Sequence, residues 1–281
     1  MIDFPNNNRL CVRAGAYSLV KSLCDSASYQ LSNSLSRFSL HLGKDAEICD
    51  LKPDKVNAWL VALEATHSQR SIAGHRGNLL ALWRWLAELG DCEAPRQIRK
   101  VRKPEPMPVA WTLDELRQLL AVAEQAPGEM PDGTPFAVYW PATIQVAYST
   151  GLRRSDLWIL RHEQIRQNGS IFLRQHKTGQ THQPQLSAKA LCLIRQIKHD
   201  PPLAWQGSNV RQWYDRWARL VKAAGIRPGA LQQIRRTGAT HLAIDHPERV
   251  QRYLGHRSVT MQRHYVDLTI AAPQSELPPE L

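Results

Sequence analysis

The sequence predicts a two-domain protein that is mainly α-helical with a small antiparallel β-sheet. Three observations carry this. Apolar residues recur at helical spacing through most of the chain, and only residues 170–186 read as short strands about a turn. A basic, proline-rich stretch interrupts the pattern at 96–109. The 281 residues are enough for two parts, each with a core of its own.

The elements follow in order. From Ala27 to Leu42, Leu31, Leu35, Phe38 and Leu42 share one face, and Gly43 can stop the helix. Pro53-Asp54 opens a second helix with Val56, Trp59, Leu60 and Leu63 as its stripe. A third runs from about Ser71 to Leu89, with Leu79, Leu82, Trp83 and Leu86 inward and Gly90 at its end. Arg70, His75, Arg76 and Arg84 lie on or beside it, and either face a DNA groove or form a solvated surface. These elements make a first domain, 1–95. The linker, 96–109, carries Arg96, Arg99, Lys100, Arg102 and Lys103 without an acid, then Pro104, Pro106 and Pro108. Such a strap can cross a phosphate backbone.

The second domain spans 110–281. Thr112-Leu113-Asp114-Glu115 is a capping box ahead of Leu116, Leu119 and Leu120. Pro141 to Tyr148 suggests another helix. Ser170 to Arg174 reads as a strand, Lys177-Thr178-Gly179-Gln180 as a turn, and His182 to Leu186 as a return strand that Pro184 confines to an edge. From Ser187 to Val266 the chain looks helical, and its last residues extended or mobile. No internal repeat is visible.

Charge and composition narrow the function. The formal net charge of +11 suits a polyanionic partner, of which nucleic acid is the commonest, or else a merely basic surface. It is not a basic tail: 15 basic residues face 11 acidic ones up to position 107, and 21 face 14 beyond it. Five scattered cysteines without a CxxC pair fit neither a disulfide framework nor a zinc ribbon, and suit a reducing cytoplasm. No metal-binding histidine spacing, signal peptide or membrane-length apolar run is seen.

Five segments carry chemistry. Thr150-Gly151-Leu152-Arg153-Arg154-Ser155-Asp156-Leu157 places an arginine just after a glycine helix stop. Lys177 sits at the hairpin tip, with Arg174 and His176 as competitors. Gln232-Gln233-Ile234-Arg235-Arg236-Thr237 supplies a second arginine. Leu254-Gly255-His256 is followed, nine residues after the histidine, by Tyr265. A phosphodiester attacked by a hydroxyl passes through a five-coordinate, highly negative state. Two guanidiniums fork onto its oxygens, and a lysine or histidine can serve the departing oxygen. Fixed cations of this kind can take the place of a metal ion.

Together these boxes resemble the tyrosine recombinase, or phage integrase, family, in particular its compact Xer-like and Cre-like members. By motif the match covers about 110–268. More weakly, the helical first half resembles the family's core-binding, SAM-like domain. The resemblance implies that Arg153 and Arg235 clamp the scissile phosphate, Lys177 acts as general acid, His256 bonds the transition state, and Tyr265 is the nucleophile. Asp156 would support the first arginine. Arg154 and Arg236 would be structural or contact the DNA backbone. Gln232 departs from the family's usual histidine: it can donate a hydrogen bond but cannot carry a proton at neutral pH. Also implied are duplex DNA as partner, a 3′-phosphotyrosyl intermediate, no metal or ATP, and a homotetramer on two DNA sites, monomeric or dimeric before synapsis. The expected location is the cytoplasm. A type IB topoisomerase and a catalytically impaired DNA-binding relative are the alternatives, and Gln232 is what sustains the latter.

Overall fold

The computed structural model describes residues 7–103, 107–255 and 264–271. The backbone divides into two compact units, Met1–Glu105 and Pro106–Leu281. The described residues are mostly helical, and their paired strands form one two-stranded antiparallel sheet.

The first unit contains α1 (Leu10–Val20), α2 (Asp25–Leu42), α3 (Pro53–Ala62) and α4 (Gln69–Glu88). Gly43 closes α2 at φ 68°, a left-handed conformation that glycine adopts freely. Ser68 caps α4 by accepting from the Ser71 amide. Leu31, Leu35, Phe38, Val56, Trp59, Leu60, Leu79, Leu82, Trp83 and Leu86 all enter one core. Helix α1 has no counterpart in the sequence reading. Its inward face includes Arg13, which pairs with Asp91 at 2.6 Å, so the apolar stripe is broken by a charge.

A buried carboxylate ties the bend before α3. Burial alone would raise the pKa of Asp50. Hydrogen bonds from Lys55 (2.6 Å), Lys44 (2.9 Å) and the Glu47 amide (3.1 Å) instead hold it at about 2.

The basic run 96–103 is fixed to this first unit. Arg76 Nε donates to the Arg99 carbonyl at 2.7 Å, and the Arg99 amide donates to Asn57 Oδ1 at 2.8 Å. The Arg99 guanidinium pairs with Glu64 at 2.7 Å, while Ile98 and Val101 pack on the core. Composition alone gives a strap; the two apolar residues turn it into packed structure.

The second unit runs α5 (Leu113–Ala123), α6 (Phe136–Thr150), α7 (Arg154–Ile159), β1 (Leu173–Arg174), β2 (Thr181–His182), α8 (Ala188–Ile194), α9 (Val210–Ala223), α10 (Leu231–Asp245), α11 (Val250–Leu254) and α12 (Leu268–Ala271). The capping box is present: Thr112 Oγ1 accepts from the Glu115 amide at 3.2 Å, and Glu115 Oε2 from the Thr112 amide at 2.8 Å. Helix α6 starts five residues before Pro141 and is buried on nearly every side, packed against α8 and α10. It has no amphipathic stripe because it has no solvent face.

The sheet is shorter than the sequence suggests. Leu173 faces His182 and Arg174 faces Thr181. Beyond them the pairing lapses into an isolated bridge, Ser170 with Gln185. Pro184 accepts from the Ile171 amide but has no N–H to return, which ends the ladder. The helical run expected from 187 to 266 is likewise interrupted. Residues 195–209 hold Pro201 and Pro202, and 224–230 hold Gly225 (φ 65°) and Pro228-Gly229.

Helix α9 drives the core. Trp213 and Trp217 stack 5.7 Å apart at 5°, and both meet Trp140. Trp213 Nε1 donates to the Tyr139 hydroxyl at 3.0 Å, which donates on to the Leu203 carbonyl at 3.1 Å, so the buried polar atoms are satisfied. Among the described residues, no helix is long and apolar enough to cross a membrane.

Candidate active site

The first arginine is placed by the end of α6. Gly151 takes φ 61°, and Arg153 follows as the N-cap residue of α7. Glycine is required twice over. Its conformation is left-handed, and a Cβ would stand 2.7 Å from the ring of Tyr253. That tyrosine is wedged between α6 and α10. Its hydroxyl donates to the Tyr148 carbonyl at 2.7 Å and abuts Gly238, where a Cβ would collide with it.

The second arginine lies on α10 and is 1% exposed. Arg235 donates to the Gly151 carbonyl and, at 2.8 Å, to the Leu254 carbonyl. Its Cζ lies 5.1 Å over the ring of Tyr265. One buried guanidinium therefore gathers the turn before Arg153, the end of α11 and the tyrosine. Burial, and then the nearby Arg153 charge, lower its pKa to about 10, so it remains a cation at neutral pH. Two like charges held this close form a site made for an anion.

Tyr265 is half-buried and held from behind. Its carbonyl accepts from Thr240 Oγ1 at 3.4 Å. The same Oγ1 accepts from the Asp267 amide at 2.9 Å, and the Asp267 carboxylate accepts from the Ala110 amide at 2.9 Å.

The other candidates divide. Asp156 is fully buried, and its Oδ1 accepts from the His176 amide at 2.8 Å. It fixes the hairpin turn, and Gln175 Oε1 accepts from Arg153 at 3.0 Å. Lys177 is exposed at the turn and makes no hydrogen bond or ion pair among the described residues. Its competitor Arg174 closes the same turn by donating to the Gly179 carbonyl at 2.7 Å. Gln232 is half-buried on the first turn of α10 without a hydrogen bond among the described residues, whereas Gln233 donates to the Val109 carbonyl. His256 lies outside the described residues.

Of the residues considered for DNA contact, Arg70, Arg96, Lys100, Arg102 and Lys103 are exposed. His75 is half-buried, 3.0 Å from Ser34 Oγ, and burial with the Arg37 charge lowers its pKa. Arg76 and Arg99 are engaged in fixing the 96–103 run. Arg154 lies over the Trp158 ring at 4.6 Å and the Tyr214 ring at 5.0 Å, so its plane is occupied by aromatic faces. Arg236 is half-buried with its Nε unpartnered among the described residues.

Sequence reasoning passed over Gln175, His182, Tyr253 and Asp267. Burial and the Arg235 charge lower the pKa of His182, which keeps it neutral beneath the arginines. Helical or strand alternation marks such residues only as inward-facing, and polar inward residues carry no local signature. Among the described residues, no three His, Cys, Asp or Glu side chains come together as metal ligands.

An arginine pair set against a tyrosine on a helical scaffold is the arrangement of a tyrosine recombinase. The chain belongs to the phage integrase family, whose sequence model matches residues 111–271. It is 30% identical over 246 residues to the tyrosine recombinase XerD of Mycobacterium tuberculosis (strains CDC 1551 / Oshkosh and ATCC 25618 / H37Rv). That alignment covers 78% of this chain and 74% of the relative. The fold is similar to that of a lambda integrase dimer bound to a COC′ core site (TM-score 0.72, 17% identity, 97% of this chain and 81% of the other). It is also similar to a lambda integrase tetramer bound to a Holliday junction (0.73, 17%, 98% and 81%). The Tn1549 transposon integrase with circular intermediate DNA is a further match (0.65, 17%, 92% and 95%).

Proposed function

We propose that this chain is a site-specific recombinase that cleaves and rejoins duplex DNA through a 3′-phosphotyrosyl intermediate, with Tyr265 as nucleophile. The observation that carries the reading is Arg235, buried, cationic and over the Tyr265 ring, with Arg153 beside it. A tyrosine hydroxyl has an ordinary pKa of about 10 and needs such a field to attack.

The chemistry follows from charge. The Tyr265 oxygen gives up its proton to solvent as it attacks phosphorus, and the bond to the 5′-oxygen breaks. Arg153 and Arg235 offset the charge on the non-bridging oxygens in the five-coordinate state, each such donor being worth about 10²–10³ in rate. Lys177, exposed on its turn, is free to reach the departing 5′-oxygen and protonate it. Gln232 donates a hydrogen bond where a histidine could have moved a proton. One phosphodiester replaces another, so the bond energy is retained and ligation to a partner strand's 5′-hydroxyl needs neither ATP nor metal. Assembly as a tetramer on two DNA sites is supported by the oligomers that the lambda integrase forms.

A suicide substrate nicked beside the cleavage site tests this. Wild-type protein is expected to trap a covalent adduct, and Tyr265→Phe none. If wild type traps nothing, the chain is a DNA-binding relative without cleavage. If Tyr265→Phe still forms the adduct, the nucleophile is another residue.

A further inference from the structure

Gln175 touches three of the segments that the site is built from. It is 1% exposed and sits at the base of the hairpin turn. Its amide donates to the Gln180 carbonyl at 2.8 Å, and its carbonyl accepts from the Gly179 amide at 2.8 Å, which closes the turn that carries Lys177. Its side-chain Oε1 accepts twice, from Arg153 at 3.0 Å and from Thr178 Oγ1 at 2.7 Å. The Arg153 donor fixes the orientation of the carboxamide, because the flipped form would set N–H against N–H. Nε2 must therefore point away, and it lies against Gly255, where a Cβ would collide with it and with His182 Nδ1.

We infer that Gln175 is a positioning residue for strand cleavage: its carboxamide sets Arg153, the Lys177 turn and Gly255 in one register. The inference rests on the recombinase reading above. On the recombinase reading, Arg153 reaches the phosphate on a long, rotatable stem, and a neutral acceptor on its Nη1 favours one rotamer without discharging the cation. A glutamate would select the same rotamer but add a negative charge beside an anion site. Thr178 adjoins Lys177, so the acceptor that orients the first arginine also limits the travel of the turn. Gly255 closes α11, and its bare Cα lets Gln175 Nε2 and His182 Nδ1 come close to the backbone there. Gln175 Nε2 has no acceptor among the described residues. That makes the carboxamide a poor choice for stability alone, since a buried donor left unpaired is unfavourable and an apolar side chain of similar size would avoid it.

The test compares Gln175→Met and Gln175→Glu with wild type on the nicked substrate at saturating DNA, with DNA affinity and melting temperature measured alongside. Met keeps the volume and removes the acceptor. It is expected to slow adduct formation about 10²-fold, the effect of roughly 1 Å of misplacement, with DNA affinity and melting temperature near wild type. Glu restores the acceptor and, against the cost of its added charge, is expected to recover part of the rate at pH 8. The protonated carboxyl keeps a neutral acceptor oxygen, so the recovery relative to wild type is expected to grow as the carboxylate is protonated at acid pH. The inference falls if Met cleaves at the wild-type rate, if its rate falls only in step with affinity or melting temperature, or if Glu rescues nothing. Absence of adduct from wild type would instead overturn the recombinase reading and take this inference with it.

Discussion

Arg235 makes two backbone hydrogen bonds and faces one aromatic ring, so its shape matters as much as its charge. Lysine at this position keeps a cation but cannot reach two carbonyls and two phosphate oxygens together. Arg235→Lys is expected to reduce adduct formation by at least about 10²-fold while DNA affinity stays within a few-fold, read by suicide-substrate trapping and gel shift. Gln232 offers the opposite experiment. Gln232→His installs a group that titrates near pH 6.5, so the cleavage rate should gain a pH-dependent limb there. A flat profile identical to wild type would show that the position only donates a hydrogen bond.

At the scale of elements, the second unit is locked by a charge pair and by tight glycine contacts. Arg227 donates to Glu115 Oε1 at 2.8 Å and to Oε2 at 2.7 Å, binding the cap of α5 to the loop before α10. These bonds, against burial, hold Glu115 at about 2, well below its ordinary value of 4.5. Its stabilising contribution is complete above pH 4.5 and is lost as pH falls toward 2. Glu115→Gln should therefore lower the melting temperature at pH 7 and nearly converge with wild type near pH 2. At Gly238, a methyl meets the Tyr253 hydroxyl. Gly238→Ala is expected to destabilise the fold by about 1–3 kcal/mol. Removing the hydroxyl in Gly238→Ala/Tyr253→Phe should return part of the loss in thermal melts.

Legibility also differs by element. Helices with one wet and one dry face, α2 to α5, could be read because their period is written in apolar residues. Helix α1 could not, since Arg13 occupies its inward face, and α6 began earlier than Pro141 suggested because a helix buried all round has no period. The boxes around Arg153, Arg235 and Tyr265 could be read because phosphate chemistry needs those residue types. Gln175 and Asp156 could not be given their contacts, because which side chain faces an arginine is settled by a hairpin twenty residues on.

At the scale of the molecule, a net charge of +11 shared by both units predicts strongly salt-dependent DNA binding. If six to ten phosphates are contacted, affinity should fall about 10³–10⁵-fold between 50 and 200 mM salt, measurable by fluorescence anisotropy. A slope near zero would mean that the basic residues do not meet a backbone. The exposed Arg70, Arg96, Lys100, Arg102 and Lys103 are the first unit's candidates for that contact, whereas Arg76 and Arg99 already have partners within it.

The Arg235 bond to the Gly151 carbonyl joins positions 84 apart in the sequence. The electrostatic partner of Tyr265 is therefore held by a long-range closure that forms only when the helices of the second unit have docked. Contacts of this kind carry a loop-closure entropy that is met only as the helices pack together. A nascent or locally opened chain can present its tyrosine, but without that closure the hydroxyl is as inert as any phenol at neutral pH. On the proposed mechanism, reactivity toward DNA is thereby confined to the folded chain, because only there does Arg235 stand over Tyr265.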